Sequence, residues 1–596
     1  MVGKLHVLRI NLSSGKVSHE WLHEGWRLQL IGGKGVATRI LFDELQPNID
    51  PLSADNMLIF TVGPATGTVI PMDSRYGVFF KSPLTGIFCE SYSGGSVAPV
   101  IRWAGLDAIV ITGAADKPTY LYIDDGKAEL RSAKRLWGLD TYTADREVKA
   151  ELGDKNLKVI SIGPAGENLV KFANMSNDYW RQAGRGGGGA VMGSKRLKAI
   201  AVRSSKRESP AEDSGELRKI AMEAFERIRK DPTASQIYRN YGTSAMIDVA
   251  NELGAFPTRY WRENRFSEAK SINCDAVRRL LVKNKTCWNC PVACGKFVEA
   301  EGDDGATHRV ELEYETIYAF GSLCMISKIE KIIEINDFCD RYGIDTITAG
   351  NVAAFAIEAY NLGKLKPEKP IRYGDSHSVL WLLKETVNRT GVGKILAEGT
   401  RAAAKALGLD DLAIHVKGLE PPGYDPRTMK GMALSYATSP RGACHLRSGF
   451  YYAEARGLVD RFSTDPKKVA MFVDWERRCT VFDSLILCRF GRFIFDWPML
   501  ARLVSRLNGC EYTEAELIHI ADSIIDLTRA FNLREGISRK DDCIPERFSS
   551  EPVKVGRQEY VTTKHELNLM LDEYYRLHGW DSSGVPSRIP DKPIEK

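Results

Sequence analysis

Three thiols stand at C-x2-C-x3-C spacing in Cys287-Trp-Asn-Cys290-Pro-Val-Ala-Cys294. One tight loop with that spacing can turn its sulfurs toward a common point, as an iron-sulfur cube or a tetrahedral zinc ion requires. The fourth ligand is missing locally. His308, the nearest imidazole, stands isolated in a Gly/Asp-rich segment, and the strongest thiol candidate is far downstream, Cys488 in Asp483-Ser-Leu-Ile-Leu-Cys488. A distant fourth thiol would tie two parts of the fold together. The spacing favours an iron-sulfur cluster and leaves a zinc site and ordinary buried thiols open.

Two further segments, Asp340-Arg-Tyr-Gly-Ile-Asp345 and Asp483 to Cys488, share the form Asp-x-x-x-aliphatic-Asp/Cys. Paired segments suit a ligand with two similar halves. Glycine loops recur upstream: Gly32-Gly-Lys-Gly35, Gly63-Pro-Ala-Thr-Gly67, Ser93-Gly-Gly95, Gly163-Pro-Ala-Gly166 and Arg185-Gly-Gly-Gly-Gly189. Glycine lets backbone amides approach an anion, so these loops could line a phosphate-bearing ligand or simply be tight turns. The stretch from Arg181 to Lys195 is the strongest, because basic residues bracket four glycines before an Ala-Val-Met-Gly helix start. It is neither a Walker loop nor a Rossmann fingerprint. By residue type alone, Glu311-Leu-Glu313-Tyr-Glu315 reads as a solvated acidic face and His445, after Cys444, as structural.

The elements that must position these residues fall into a β-rich and a helical part. Strands are expected at 5–10 and 16–20, joined as a hairpin across Asn11-Leu-Ser-Ser-Gly15, and at 57–62, 76–80, 108–112, 119–123 and 158–162. Composition turns to Lys, Arg, Glu, Ser and Pro at 204–214, a domain boundary. Ser214 is then expected to cap a helix burying Leu217, Ala221, Ala224, Phe225 and Ile228, stopped by Asp231-Pro232. Helical periodicity continues at 330–340, 349–362 and 379–387. Leu419-Glu-Pro-Pro-Gly-Tyr424-Asp-Pro-Arg427 breaks it, and the last clear helix starts at a Thr513-x-x-Glu516 capping box and ends by Gly536. The fold class is α+β: an N-terminal β-rich cofactor-binding domain (1–209) followed by two mainly helical domains (210–418 and 419–596).

At 596 residues the chain is too long for one hydrophobic core. Its 43% hydrophobic and 27% charged residues are ordinary globular composition, which argues against disorder. The net charge of +5 is a small difference between 82 basic and 77 acidic residues, which argues against a nucleic-acid partner. No apolar run is long enough for a membrane span, and the N-terminus alternates like a strand rather than a leader. Twelve Cys at unmatched spacings fit reduced thiols in a cytoplasmic protein, not a disulfide framework.

Taken together, these motifs resemble the aldehyde ferredoxin oxidoreductase family of tungsten enzymes, and the resemblance runs nearly end to end. It is carried by Asp73-Ser-Arg75-Tyr, Ser82-Pro-Leu-Thr-Gly86, Ser93-Gly94-Gly95, Ile162-Gly-Pro-Ala-Gly-Glu-Asn168, Ala183-Gly-Arg-Gly-Gly187 through Gly193-Ser-Lys195, the Cys triplet, both Asp segments and Arg441-Gly-Ala-Cys-His445.

The resemblance implies that Cys287, Cys290, Cys294 and Cys488 hold one [4Fe-4S] cluster, and that two pyranopterin dithiolenes carry tungsten, with molybdenum the alternative metal. Asp340, Asp345 and Asp483, assisted by backbone near Ile344 and Leu487, would accept hydrogen bonds from the pterin rings. Arg75, Arg181 and Arg447 would meet phosphates or pterin edges, and Ser93, Gly94, Gly95, Ala183, Gly184 and Arg185 would line the cofactor. The carbonyls of Tyr92 and Gln182 match positions that hold a Mg²⁺ bridging the pterin phosphates. Glu315 and His445 match catalytic positions, as proton acceptor and as hydrogen-bond partner of the carbonyl oxygen.

The implied reaction oxidises an aldehyde to a carboxylic acid and passes electrons to ferredoxin or a dedicated iron-sulfur subunit, since no second C-x2-C is present. The other readings are the tungsten subunit of a benzoyl-CoA reductase complex and, from a different class, a zinc-stabilised binding protein. Two departures from the family pattern stand out. Ile486 replaces the glycine expected beside one pterin, and Glu334-Ile-Asn-Asp337 lacks the histidine with which some members bind a subunit-bridging metal. That metal is not expected here, which leaves a homodimer without that route.

Overall fold

The computed structural model describes residues 3–207, 215–303 and 305–593. Strands β1 (Leu5–Asn11), β2 (Lys16–Leu22), β3 (Leu58–Thr61), β4 (Tyr76–Lys81), β5 (Phe88–Ser93) and β6 (Ala108–Thr112) form one sheet in the order β2-β1-β6-β3-β4-β5. Strands β7 (Thr119–Asp124), β8 (Lys127–Ser132), β9 (Lys158–Ser161), β10 (Met175–Asn177), β11 (Arg181–Ala183) and β12 (Leu197–Arg203) form a second, ordered β11-β10-β9-β12-β7-β8. The expected hairpin is β1-β2, paired from Leu5↔Leu22 to Asn11↔Lys16. The expected strands all appear. Strands β5, β8, β10, β11 and β12 go beyond them, several being short or polar.

Alternation along the strands explains their apolar runs. Leu8, Ile10, Leu58 and Phe60 pack in the layer shared with Leu121, Ile123, Ile200 and Val202 of the second sheet. Their neighbours Leu5, Val7, Ile59 and Val110 point the other way, into a core built with helices Gly33–Glu44, Trp497–Asn508 and Glu514–Arg534. A sheet covered on both faces reads as continuously hydrophobic, as Met57 to Val62 does.

Beyond residue 215 the chain is mainly helical, apart from a three-stranded sheet β13 (Leu281–Lys285), β14 (Gly295–Glu301) and β15 (Thr307–Glu311) and a two-stranded one, β16 (Val553–Val555) and β17 (Gln558–Tyr560). The expected helices appear as Ile329–Tyr342, Thr346–Asn361 and Ser376–Asn388. Helix Gly215–Lys230 buries Leu217, Ala221, Ala224 and Ile228 but leaves Phe225 exposed; its expected cap, Ser214, lies outside the described residues. Thr513 and Glu516 form the expected capping box on Glu514–Arg534. That helix is not the last, however: Lys564–His578 follows with its own box from Thr563 and Glu566. Among the described residues no helix is long and apolar enough to cross a membrane.

Two features of this scaffold position the site. The edges β5 and β11 adjoin, stitched by Asn177, whose side-chain oxygen accepts from Tyr76 Oη (3.0 Å) and Ser93 Oγ (2.6 Å) while its amide donates to the Gly94 carbonyl (3.0 Å). The two Asp segments end helices Ile329–Tyr342 and Pro466–Leu485, and each final turn packs on a Gly-Pro-Ala loop. A Cβ at Gly163 would overlap the Tyr342 carbonyl and one at Gly63 the Leu485 carbonyl. These glycines serve close backbone packing. Gly33 to Gly35, expected as a loop, instead form the first turn of a helix lying against the second Asp segment.

Candidate cofactor and catalytic site

The cysteine loop joins β13 to β14, with Asn289 and Ala293 in left-handed conformations (φ +49° and +51°) that fold its backbone tightly. Gly95 N donates to Cys287 Sγ (3.2 Å) and Trp288 N to the Gly95 carbonyl (3.0 Å), so the loop is clamped onto the Ser93-Gly-Gly95 turn. A Cβ at Gly94 would stand 2.8 Å from Cys287 Sγ, so the close approach needs glycine. Cys488 N donates to the Met72 carbonyl (3.0 Å), and Arg75 spans from Cys488 Sγ (3.8 Å) to the Tyr92 carbonyl (3.1 Å). The fold thus brings Cys488 to the Cys triplet. Burial pushes Cys290 up to about 12, with the charges of Cys488 and Cys287 adding to it, and Cys294 is raised well above the usual thiol range for the same reasons. Thiols so crowded resist ionising on their own, and a cationic centre between them would draw off their protons. His308, on β15, pairs instead with Asp337 (3.0 Å).

The two Asp segments are not equivalent. Asp340 accepts from the neutral amides of Gln182 and Asn336 (both 2.8 Å), and burial, with Asp337 and Glu311 nearby, holds its carboxyl well above the ordinary range. Asp345 caps helix Thr346–Asn361 and meets Arg185 Nε at 2.9 Å. Asp483 lies between two guanidinium groups, Arg447 Nη1 (2.7 Å) and Arg489 Nη2 (2.6 Å). Ile344 and Leu487 are buried beside their respective aspartates. Ile486 takes the left-handed turn (φ +61°) that Gly343 takes in the first segment (φ +76°).

Behind Asp483 runs a buried network that sequence reading misses. Glu90 on β5 accepts from Lys34 (2.9 Å), Arg447 (2.8 Å) and Tyr92 Oη (2.7 Å), and Arg441 donates to the Glu90 carbonyl (2.6 Å). Opposing positive charges from Arg447 and Lys34 outweigh burial and hold Glu90 far below the carboxylate range. A lysine among glycines and a glutamate in a polar edge strand carry no pattern that would pair them. On the other flank Arg181 meets Glu311 (2.5 Å), and Gly184 faces open space, with nothing within 4 Å of a Cβ placed on it. Arg75, Arg181, Arg185, Arg441 and Arg447 all lie beside these segments, and guanidinium groups suit an anionic, phosphate-bearing occupant.

Glu315, in the short helix Tyr314–Ile317, and His445 meet, His445 Nε2 lying 3.5 Å from Glu315 Oε1. Glu315 Oε2 accepts from Gly423 N (2.9 Å), whereas Oε1 has no hydrogen-bond partner among the described residues. Burial pushes Glu315 up to about 8, against the Gly423 amide and Arg185. Burial, then Arg441, Arg185, Arg447 and Arg492, lower His445 well below its usual value, so its imidazole is neutral. Burial would raise the neighbouring Cys444 thiol, but Arg441 (3.0 Å from its sulfur) and Arg447 bring it down to about 7. Tyr424 and Tyr451, stacked at 4.4 Å, wall the imidazole at 5.5 and 5.6 Å. The acidic-face reading therefore fails for Glu315: its helix turns it inward to the Gly423 amide. Where the family histidine is absent, Glu334 pairs with Lys331 (2.9 Å) and Asp337 with Arg341 (2.9 Å).

Comparison with known proteins agrees along the whole chain. The family description "Aldehyde ferredoxin oxidoreductase, N-terminal domain" matches residues 7–204, and "Aldehyde ferredoxin oxidoreductase, domains 2 & 3" matches 219–589. The tungsten-containing aldehyde ferredoxin oxidoreductase of Pyrococcus furiosus is 37% identical over 599 residues, covering 99% of this chain and 98% of that one. A WOR-like subunit of an aliphatic sulfonate oxidoreductase from the same organism is 30% identical, covering 98% and 95%. Among solved structures, the BamBC active-site complex of benzoyl-coenzyme A reductase with 1,5-dienoyl-CoA superposes with a TM-score of 0.83 at 25% identity, covering 98% of this chain and 96% of that one. With matches over both parts of the chain and this identity over its full length, the protein belongs to the aldehyde ferredoxin oxidoreductase family.

Proposed function

We propose that the chain oxidises an aldehyde and water to a carboxylic acid, releasing two electrons and two protons, with the electrons leaving through a [4Fe-4S] cluster to ferredoxin or an iron-sulfur partner. The observation that carries this reading is the Glu315–His445 pair at 3.5 Å, a carboxyl raised to about 8 beside a neutral imidazole in a buried, arginine-ringed space. When bound, a tungsten bis-pyranopterin supplies the two-electron acceptor. Arg75, Arg181, Arg185 and Arg447, with Asp340, Asp345 and Asp483, would hold its two pterins. The carbonyls of Tyr92 and Gln182 would take Mg²⁺ between the phosphates; Tyr92 already presents its carbonyl to Arg75.

In this reading Glu315 takes the proton lost as water adds to the carbonyl carbon, through the oxygen that has no other partner. Neutral His445 donates a hydrogen bond to the carbonyl oxygen as negative charge grows there. The tyrosines around them exclude bulk water, which strengthens both interactions. For the cluster, Cys290 and Cys294 are both raised, beyond the effect of burial, by the charges of Cys287 and Cys488, which supports the four as one ligand set. A C-x2-C-x3-C triplet with a distant fourth thiol suits a four-iron cube.

The test is oxygen-free protein, analysed for tungsten, molybdenum, iron and zinc, then offered aldehydes with a viologen as acceptor. Aldehyde-dependent viologen reduction by the chain alone supports the reading. Colourless, zinc-bearing protein would end it, and a requirement for partner subunits and an aryl-CoA would favour the benzoyl-CoA reductase reading that the fold likeness keeps in view.

A further inference from the structure

Arg492, in the turn that follows Cys488, is buried, with 3% of its surface exposed. Among the described residues it forms no ion pair, whereas every other buried arginine meets a carboxylate or, for Arg441, the Cys444 thiol. Its Nη1 donates to the Arg489 carbonyl (3.1 Å), its Nη2 reaches only Tyr451 Oη at 3.4 Å, and its Nε has no hydrogen-bond partner among the described residues. Taking a guanidinium out of water without a counter-ion is costly. The rings of Tyr451, Tyr452 and Phe493, centred 5.5, 4.6 and 5.4 Å from its Cζ, offset part of that cost through their electron-rich faces. They leave the Nε–Nη2 edge without the pair of oxygens that it is shaped to bind.

Tyr451 links this cation to the catalytic pair. The ring that lies 5.5 Å from Arg492 Cζ is centred 5.6 Å from the His445 imidazole, and the Arg492 charge is among those that, after burial, hold His445 low. On its other side Arg492 covers Tyr452, which packs on Phe493 at 4.6 Å, and Phe493 is 38% exposed. A contiguous series of rings around one unpaired cation therefore runs from the catalytic pair to the surface. The open edge also selects the anion: a planar carboxylate meets Nε and Nη2 with two parallel hydrogen bonds. A phosphoryl group, with more charge and a third oxygen, calls for further donors, and Arg489, whose carbonyl Arg492 binds, has its own guanidinium committed to Asp483 (2.6 Å).

We propose that Arg492 sets the substrate class: its Nε–Nη2 edge holds the carboxylate at the far end of an aldehyde acid whose carbonyl stands at the Glu315–His445 pair. The proposal rests on the reading of that pair as catalytic, and the reaction is the one given above. Binding the acid group supplies the missing counter-ion, so an aldehyde without one leaves Arg492 buried and unpaired and is discriminated against on that account.

The experiment measures kcat/KM of the oxygen-free holoenzyme, with a viologen as acceptor, for two matched pairs: succinic semialdehyde against butanal, and glutaric semialdehyde against pentanal. In the wild type at least one acid aldehyde should be preferred over its neutral partner by about 30-fold or more. Arg492→Met should bring that ratio close to unity, and Arg492→Lys, which keeps the charge and loses the fork, should fall between the two. A wild type without the preference overturns the proposal whether or not the variants fold. So does an Arg492→Met enzyme that loses both activities alike and keeps the ratio; a shifted cluster potential in that enzyme would assign the charge to the cluster instead. Calorimetric titration with glutarate, which has no aldehyde to oxidise, reads binding apart from turnover: the wild type should bind it about tenfold or more tightly than Arg492→Met, and equal affinity overturns the assignment. If neither member of a pair is oxidised, the proposed reaction falls, while glutarate binding that depends on Arg492 would still uphold the carboxylate site.

Discussion

Ile486 lodges its side chain where Gly33 has no Cβ: a Cβ built on Gly33 would stand 2.7 Å from Ile486 Cδ1 and 2.6 Å from the Asp483 carbonyl. Ile486 is fully buried and left-handed at φ +61°, a conformation disfavoured for a branched side chain by about 1–2 kcal/mol. The glycine of one element thus compensates for the missing glycine of another.

This pairing is testable by a mutant cycle. Gly33→Ala should cost about 1–3 kcal/mol through overpacking. Ile486→Gly should also destabilise, because losing the buried side chain costs about 2–5 kcal/mol, more than the backbone regains. Combined, the two should cost less than their sum, by about 0.5–3 kcal/mol. Thermal or urea melts measure this, and strict additivity would show that the two residues do not share the space.

Glu315→Gln should lower kcat/KM for aldehydes by about 100- to 10,000-fold while leaving metal content and the cluster signal intact. The wild-type pH profile carries a sign. A base must be deprotonated to act, and burial raises Glu315 to about 8, so kcat/KM should climb as pH rises toward and through that value and flatten above it. A profile falling over the same range, or a variant with full turnover, rules Glu315 out as the base.

Cys290→Ala should abolish the EPR signal of the reduced [4Fe-4S] cluster, and Cys488→Ala should do the same from the far end of the chain. The second variant is the sharper test, since Cys488 joins the triplet only through folding, with its amide held by the Met72 carbonyl. An unaltered signal in Cys488→Ala would remove it from the ligand set.

Lys34→Met should destabilise the protein by about 3–5 kcal/mol, because both Lys34 and Glu90 are buried and the change leaves Glu90 with one cation fewer. Lys34→Met/Glu90→Gln should recover part of that loss by removing the orphaned charge. If melting temperatures show the double variant to be worse than the single one, the pair is not the unit described here.

Local regularities were legible in the sequence. The strand runs of 57–62 and 108–112, the capping box at Thr513 and the Pro-rich break at 419–427 follow from side-chain periodicity and backbone chemistry, which act over a few residues. The Cys triplet was legible for the same reason, since one loop sets its spacing. Only the family resemblance of the surrounding motifs pointed to Glu315 and His445; residue type alone left the first on an acidic surface and the second as structural.

Other features belong to the tertiary structure alone. Glu315 and His445 meet at 3.5 Å only because the short helix after β15 and the loop after Arg441 face one another. Lys34, Glu90, Arg447 and Asp483 come from four separate stretches and share one buried network. Whether the carboxyls of Asp340 and Glu315 carry a proton depends on which neighbours burial brings near and how far it excludes water. The sequence determined which groups could do the chemistry. Desolvation and long-range packing, which no short window of residues encodes, decided their charge and their partners.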